Sequence, residues 1–263
     1  ILFVNILENK MKKNIFTTML LSIFFLTGCE TIDSIRPSSD IIKTSPDSLR
    51  LTNSGPVIGI EGEEGIHIWF GVPYAEAPVD KLRWKAPRNV SSWEKVYEAT
   101  KFSNPCIQIQ SSLTGDGLAK PGDIVGNEDC LYLNIYAPAY NVNSVPREKN
   151  KLPVMVWIHG GGNTSGMTSE YNPEKFVASQ NIILVTISYR LGLFGWFSHP
   201  ELRNKSDGID ASANFGLLDQ IKALEWLRGS IENFGGDRDN ITIFGESAGG
   251  QNVIALYVSP LAK

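Results

Sequence analysis

Three short runs constrain the fold of this chain more than anything else in it. LPVMVWI at 152–158, IILVTISY at 182–189 and ITIF at 241–244 are apolar almost without interruption. A strand with one face in water alternates apolar and polar residues, whereas a strand covered on both faces has no need to. Each run therefore reads as a doubly buried strand, and such strands require helices to cover them. One suitable helix stands between the second and third runs, where Leu217, Ile221, Leu224 and Ile231, with Leu218 and Leu227 alongside, recur at steps of three and four and define an apolar stripe. Asp219, Lys222, Glu225 and Arg228 fall mostly outside that stripe, and Gly235-Gly236 supplies a stop signal ahead of the third run. Strand, crossover helix and strand make a βαβ unit, which predicts an α/β fold with a mostly parallel central sheet and flanking helices. LYLNIY at 131–136 is read as a further strand. PVIGIEGEEGIHIWF at 56–70, two apolar runs about a Gly/Glu turn, is read as a β-hairpin.

With 263 residues, 42% of them hydrophobic and 20% charged, the chain can bury the core of one domain. A formal charge of -4, with no Lys or Arg run longer than short pairs, gives no electrostatic footprint for nucleic acid. The N-terminal region is organised differently. Met11-Lys12-Lys13 precedes the apolar run IFTTMLLSIFFLTG and then Cys29, the pattern of a secretory signal peptide and too short to span a bilayer comfortably. Leu26-Thr27-Gly28-Cys29 resembles a bacterial lipobox, which makes residues 11–28 a lipoprotein signal peptide and Cys29 the lipidated first residue of an exported, membrane-attached protein of the cell envelope. Residues 1–10 precede the only plausible start and read as upstream translation, and the polar stretch 29–46 reads as a tether. Folding is then expected over 47–263. Of the three cysteines, Cys106 and Cys130 remain, and in an exported chain they are better read as a disulfide than as a metal or redox site. Closing that loop contributes about 3 kcal/mol in the chain-entropy description.

The chemistry is concentrated at two glycine-rich turns. Gly245-Glu246-Ser247-Ala248-Gly249 follows the strand ITIF and precedes the helix-compatible NVIALYV, so a G-x-S-x-G pattern lies where a nucleophile turn must lie, between strand and helix. In a chain with 24 glycines that pattern alone is weak. His159-Gly160-Gly161-Gly162 changes its weight, because it follows directly on LPVMVWI, upstream of the serine, where an oxyanion loop belongs. Acyl transfer places negative charge on a carbonyl oxygen, and main-chain N–H groups aimed at it beforehand contribute about 3 kcal/mol each. The donors assigned are Gly161, Gly162 and Ala248, with Ser247 as nucleophile. No Gly-Lys-Ser/Thr follows the glycine triplet, so a phosphate cradle is not indicated.

FGESAGG (244–250), WIHGGG (157–162), EDCLYLN (128–134), SYRLGLFG (188–195) and NFGLLDQ (214–220) occur in this order, with FGVPYAEAP and LRWKAP nearer the start. Over roughly 55–260 the sequence thereby resembles the type B carboxylesterases, the α/β-hydrolases that include the cholinesterases. The resemblance implies an α/β-hydrolase fold, hydrolysis of a small-molecule carboxylic ester without metal or organic cofactor, and a Cys106–Cys130 disulfide. It further suggests buried ion pairs of Arg83 with Glu128 and of Arg190 with Asp219, as structural elements.

In that fold the triad runs serine, acid, histidine along the chain. QNVIALYVSPLAK after the GESAGG turn contains neither acid nor histidine, and His67, His159 and His199 all lie upstream. His159 is read as bracing the oxyanion loop. The chain is therefore expected to be the N-terminal half of an esterase, inactive by itself. The alternatives are a non-catalytic cholinesterase-like binding or adhesion protein and an inactive truncated lipoprotein.

Overall fold

The computed structural model describes residues 2–6, 43–111 and 119–262. The signal segment, Cys29 and nearly all of the 29–46 tether lie outside them. The tether's last residues do not, for Thr44 bridges to Ile60 and the Ser45 N–H donates to the Gly59 carbonyl, so Thr44 and Ser45 already pack with the folded region expected from residue 47.

A seven-stranded sheet forms the centre. Its strands are β1 (Leu2–Ile6), β2 (Ile60–Glu61), β3 (Ile66–Pro73), β4 (Tyr132–Pro138), β5 (Leu152–Ile158), β6 (Ile183–Ile187) and β7 (Gly236–Gly245), arranged in space as β1-β7-β5-β6-β4-β3-β2. Parallel pairing is confined to β5 with β6 and β5 with β7, while β1–β7, β6–β4, β4–β3 and β3–β2 are antiparallel. The sheet is thus mixed, and its parallel part consists of the three apolar runs. Helices stand in the two connections between them, α1 (Glu174–Gln180) before β6 and α2 (Phe215–Ser230) before β7.

Alternate residues on the central strands serve two cores, as the period of two requires. Val154, Val156, Ile158, Ile183, Val185, Ile187, Ile241 and Ile243 pack with Leu218, Ile221, Leu224 and Leu227 of α2 and with Val253 and Leu256 of α3 (Ala248–Val258). Trp157, Leu184, Phe244 and Tyr136 face the other way, onto Val177 of α1. Helix α2 is buried well beyond one stripe, since Phe215, Asp219, Gln220, Ala223 and Trp226 are buried too. Gly235, in the left-handed region at φ 93°, ends the helical segment ahead of β7.

The expected hairpin over 56–70 is divided between two sheets. Ile60–Glu61 pairs with β3, but Pro56–Ile58 joins Arg50–Leu51 and Tyr97–Glu98 in a separate three-stranded sheet. The break falls at Gly59, where a Cβ would lie 2.1 Å from the Ile68 carbonyl oxygen. Leu2–Ile6, set aside from the fold on sequence grounds, pairs antiparallel with residues 241–245 along the outer edge of β7.

Candidate active site

Strand β5 lies between β6 and β7, so the chain moves to one side of it on leaving and returns on the other. In open α/β sheets the crevice at such a reversal, beyond the carboxyl ends of the strands, is where ligands bind. Both glycine-rich turns emerge there. Ile158, the last residue of β5, is in register with Gly245, the last of β7, so His159 and Ser247 begin one and two residues beyond a paired edge.

The turn after β7 owes its shape to contact. A Cβ on Gly249 would stand 2.0 Å from the Ile158 carbonyl oxygen, and one on Gly245 would stand 2.6 Å from the same atom. Only glycines at these two places let the turn close against the end of β5. Between them Ser247 adopts φ 52°, ψ -122°, a conformation that costs a residue with a side chain on the order of 1–3 kcal/mol. Its side chain makes no capping bond to α3. Ala248 is the first residue of α3, so its N–H has no partner within the helix and lies at the helix's positive end.

The turn after β5 reaches the same place. A Cβ on Gly160 would sit 3.2 Å from the Ser247 Cβ and 2.5 Å from a Glu246 carboxylate oxygen, so the two turns are in contact. Gly161 at φ 94° and Gly162 at φ 62° occupy left-handed backbone. The Gly161 carbonyl accepts from the N–H groups of Thr164 and Ser165, each at 3.0 Å. Among the described residues nothing accepts from the N–H of Gly161 or Gly162. A hydroxyl on a strained turn beside uncommitted amide donors can attack a carbonyl and hold the resulting oxyanion.

His159 is buried, its ring stacked on Tyr189 with centroids 4.4 Å apart and planes 17° apart. Burial lowers its pKa to about 4, only partly offset by the bond its Nδ1–H donates to the Gly160 carbonyl at 2.8 Å, so the ring is neutral at pH 7. Burial that disfavours the imidazolium makes this ring a weak base for a serine proton. His199 caps a short helix by accepting from the Glu201 N–H, and His67 lies in β3, paired on both sides, with Ser45's hydroxyl 3.5 Å away. His67 and His199 are thus engaged away from the two turns, and His159 is engaged within the first of them. Among the described residues no group of three metal-ligating side chains comes together.

Cys106 and Cys130 form a disulfide with Cα atoms 5.0 Å apart. The two ion pairs differ from each other. Arg190 Nε and Nη2 donate to the Asp219 carboxylate at 2.8 and 2.7 Å, with side chains only 3% and 0% exposed. Arg83 Nε donates to Glu128 at 2.6 Å and its Nη2 completes a fork, but the arginine side chain is 38% exposed, so this pair is half-buried rather than buried. Loss of one partner is therefore costly in the first case and worth little in the second.

Several groups that hold the site went unforeseen. The Tyr189 hydroxyl donates to the His159 carbonyl at 2.6 Å, and Asn252 Nδ2 of α3 donates to Asn163 Oδ1 at 2.8 Å. Gln108 clamps Gly166 at the far end of the loop. Tyr189 lies in SYRLGLFG, a stretch already singled out; no short pattern marks Gln108 or Asn252.

Known proteins resemble this chain in sequence and fold. Residues 46–263 match the profile of the Carboxylesterase family. The chain is 44% identical over 214 residues to para-nitrobenzyl esterase of Bacillus subtilis (strain 168), covering 81% of this chain and 40% of that protein. It is 40% identical over 227 residues to cocaine esterase of Oryctolagus cuniculus, covering 83% and 40%. A solved thermophilic PNB esterase superposes with a TM-score of 0.71 at 42% identity, over 82% of this chain and 42% of the other. The chain spans about 40% of the length of the curated relatives it matches. With its mixed sheet, flanking helices and two turns at the reversal point, it is a partial α/β-hydrolase fold, and the chain belongs to the carboxylesterase family.

Proposed function

We propose that this chain carries the nucleophile and oxyanion half of a serine carboxylic-ester hydrolase that works through an acyl-enzyme on Ser247. The carrying observation is the backbone of that residue: φ 52°, ψ -122°, at a strand-to-helix junction pressed against the glycine turn after β5. In this reading Ser247 Oγ attacks the ester carbonyl, and its proton passes to a histidine oriented by an acid, both supplied by residues beyond the present sequence. The Gly161, Gly162 and Ala248 N–H groups hold the oxyanion. The tetrahedral adduct expels the alcohol, which takes up the histidine's proton. Water, deprotonated by the same histidine, then releases the carboxylic acid and regenerates Ser247.

The relatives named esterases support ester chemistry, and the burial that disfavours protonation of His159, with its ring stacked on Tyr189, supports the view that the base comes from elsewhere. The test is a fluorophosphonate probe and p-nitrophenyl acetate on the full-length gene product. Labelling and hydrolysis that vanish in Ser247→Ala are expected. A well-folded protein that stays unlabelled would instead be a binding module on this fold.

We also propose export and lipid attachment through Cys29, supported by the Leu26-Thr27-Gly28-Cys29 sequence and by a disulfide suited to an oxidising compartment. Metabolic labelling with a radioactive fatty acid, abolished by Cys29→Ser, checks it; an unlabelled, freely soluble product would refute it.

A further inference from the structure

We infer that Gln108 is a positioning residue for the oxyanion loop, holding the amide donors in place from outside the site; its catalytic consequence rests on the ester-hydrolase reading above. The side chain is buried, 4% exposed, and the bonds it makes use both of its polar atoms. Its Oε1 accepts from the Gly166 N–H at 2.7 Å, while its Nε2 donates to the Gly166 carbonyl and to the Cys106 carbonyl, each at 3.0 Å. One side-chain amide thus serves both main-chain groups of a single residue, as a neighbouring strand would. Gly166 is where the loop returns on its start. At φ 114°, a Cβ there would stand 2.4 Å from His159 Nδ1.

The link from this clamp to the donors is short. Ser165, adjacent to Gly166, donates its N–H to the Gly161 carbonyl at 3.0 Å, and its hydroxyl donates to the same oxygen at 3.2 Å. That carbonyl belongs to the same planar peptide unit as the Gly162 N–H, and in a trans peptide the two point in opposite directions. Tying the oxygen into the loop therefore aims the hydrogen out of it. His159-Gly160-Gly161-Gly162 has too little side chain to hold itself, so the aim of its amides is set by the loop's ends. Tyr189 holds the near end at the His159 carbonyl and Gln108 holds the far one. Gln108 is itself well placed to act as an anchor, being two residues from Cys106, which is buried and bonded to Cys130.

The test compares wild type with Gln108→Met, which keeps the shape and removes all three bonds, and Gln108→Glu, which keeps an acceptor for the Gly166 N–H and loses both donors. The full-length protein is used, with three readouts: kcat against KM for p-nitrophenyl acetate, affinity for a trifluoromethyl ketone as tetrahedral mimic, and hydrogen exchange of amides in 159–166. We expect kcat to fall roughly tenfold or more in Gln108→Met, KM to stay within about twofold, the mimic's affinity to fall in step with kcat, and loop exchange to speed up. Gln108→Glu should fall between, and it carries the test if the methionine variant does not fold. A lowered melting temperature with kcat, mimic affinity and loop exchange all unchanged would overturn the inference. If wild type hydrolyses no ester, the ester-hydrolase reading fails separately, and loop exchange alone then decides: faster exchange sustains the positioning role, unchanged exchange removes it.

Discussion

The two turns at the carboxyl ends of β5 and β7 meet at one point but are held by different means. The serine turn is fixed by close packing: Gly245 and Gly249 press against the end of β5, and the Gly249 N–H donates to the Glu246 carbonyl at 2.8 Å. The histidine–glycine turn is fixed from outside, by Tyr189 on His159, Gln108 on Gly166, Asn252 on Asn163, and the Gly192 N–H on the Asn163 carbonyl. A turn with a strained residue needs a mould that leaves it no alternative. A turn that must present bare amides to a substrate cannot spend them on its own support, so its support comes from neighbours.

This contrast sets the size of the expected effects. The largest belongs to Gly249→Val, which places a branched side chain where the Ile158 oxygen is 2.0 Å from the first added carbon. Neither backbone can yield without opening the β5–β7 edge, so we expect a loss of more than about 4 kcal/mol, seen as insoluble protein or a collapsed melting transition. A soluble variant with near-normal melting would mean that the serine turn is not held by contact.

Next comes pH. His159, in the externally braced turn, has its pKa lowered to about 4 by burial, against about 6.5 in the unfolded chain. The unfolded state binds more protons between those values, so this contribution is fully present above about pH 6.5 and is lost as pH falls toward about 4. Between pH values near 7 and near 5 it amounts to about 2 kcal/mol. Urea midpoints at the two pH values should fall further for wild type than for His159→Gln; equal falls would show that His159 does not titrate as a buried ring.

A smaller effect is expected of Gly162→Ala. Space is not the obstacle there, for the nearest atom to an added Cβ is the Thr164 hydroxyl oxygen at 3.7 Å, but φ is 62°. The cost is then conformational, about 1 kcal/mol by thermal melting. A loss as large as that of Gly249→Val would erase the distinction between a turn limited by contact and one limited by backbone.

The same contrast decides what could be read from the sequence. LPVMVWI marks β5 residue for residue, because a doubly buried strand must be apolar throughout, and the serine turn was legible because its constraints fall within five consecutive residues. The braces were not, since each joins places far apart: 58 positions for Gln108 to Gly166, 89 for Asn252 to Asn163, 30 for Tyr189 to His159. Most of these bonds end on main-chain atoms, which every residue possesses and no pattern reveals. The antiparallel flanks were hidden for a related reason. Apolar content reports that a strand is buried, not the direction in which it is paired. The ion pair of Arg83 with Glu128 shows the same limit, since its partners were named correctly but its exposure depends on which surfaces pack around it.

The smallest expected effect bears on the serine turn itself, and its sign matters more than its size. Ser247→Ala removes the hydroxyl but keeps a Cβ at φ 52°, ψ -122°. Ser247→Gly removes the hydroxyl and the Cβ together. Glycine pays roughly 0.5–1 kcal/mol more in chain entropy on folding, but it is released from a strain on the order of 1–3 kcal/mol. If the mould imposes the conformation, glycine is the more stable of the two by about 1 kcal/mol in denaturant unfolding, an inversion of the usual order of these residues. If alanine is equal or better, the backbone at 247 relaxes at little cost, and the serine turn is held no more tightly than the loop it faces.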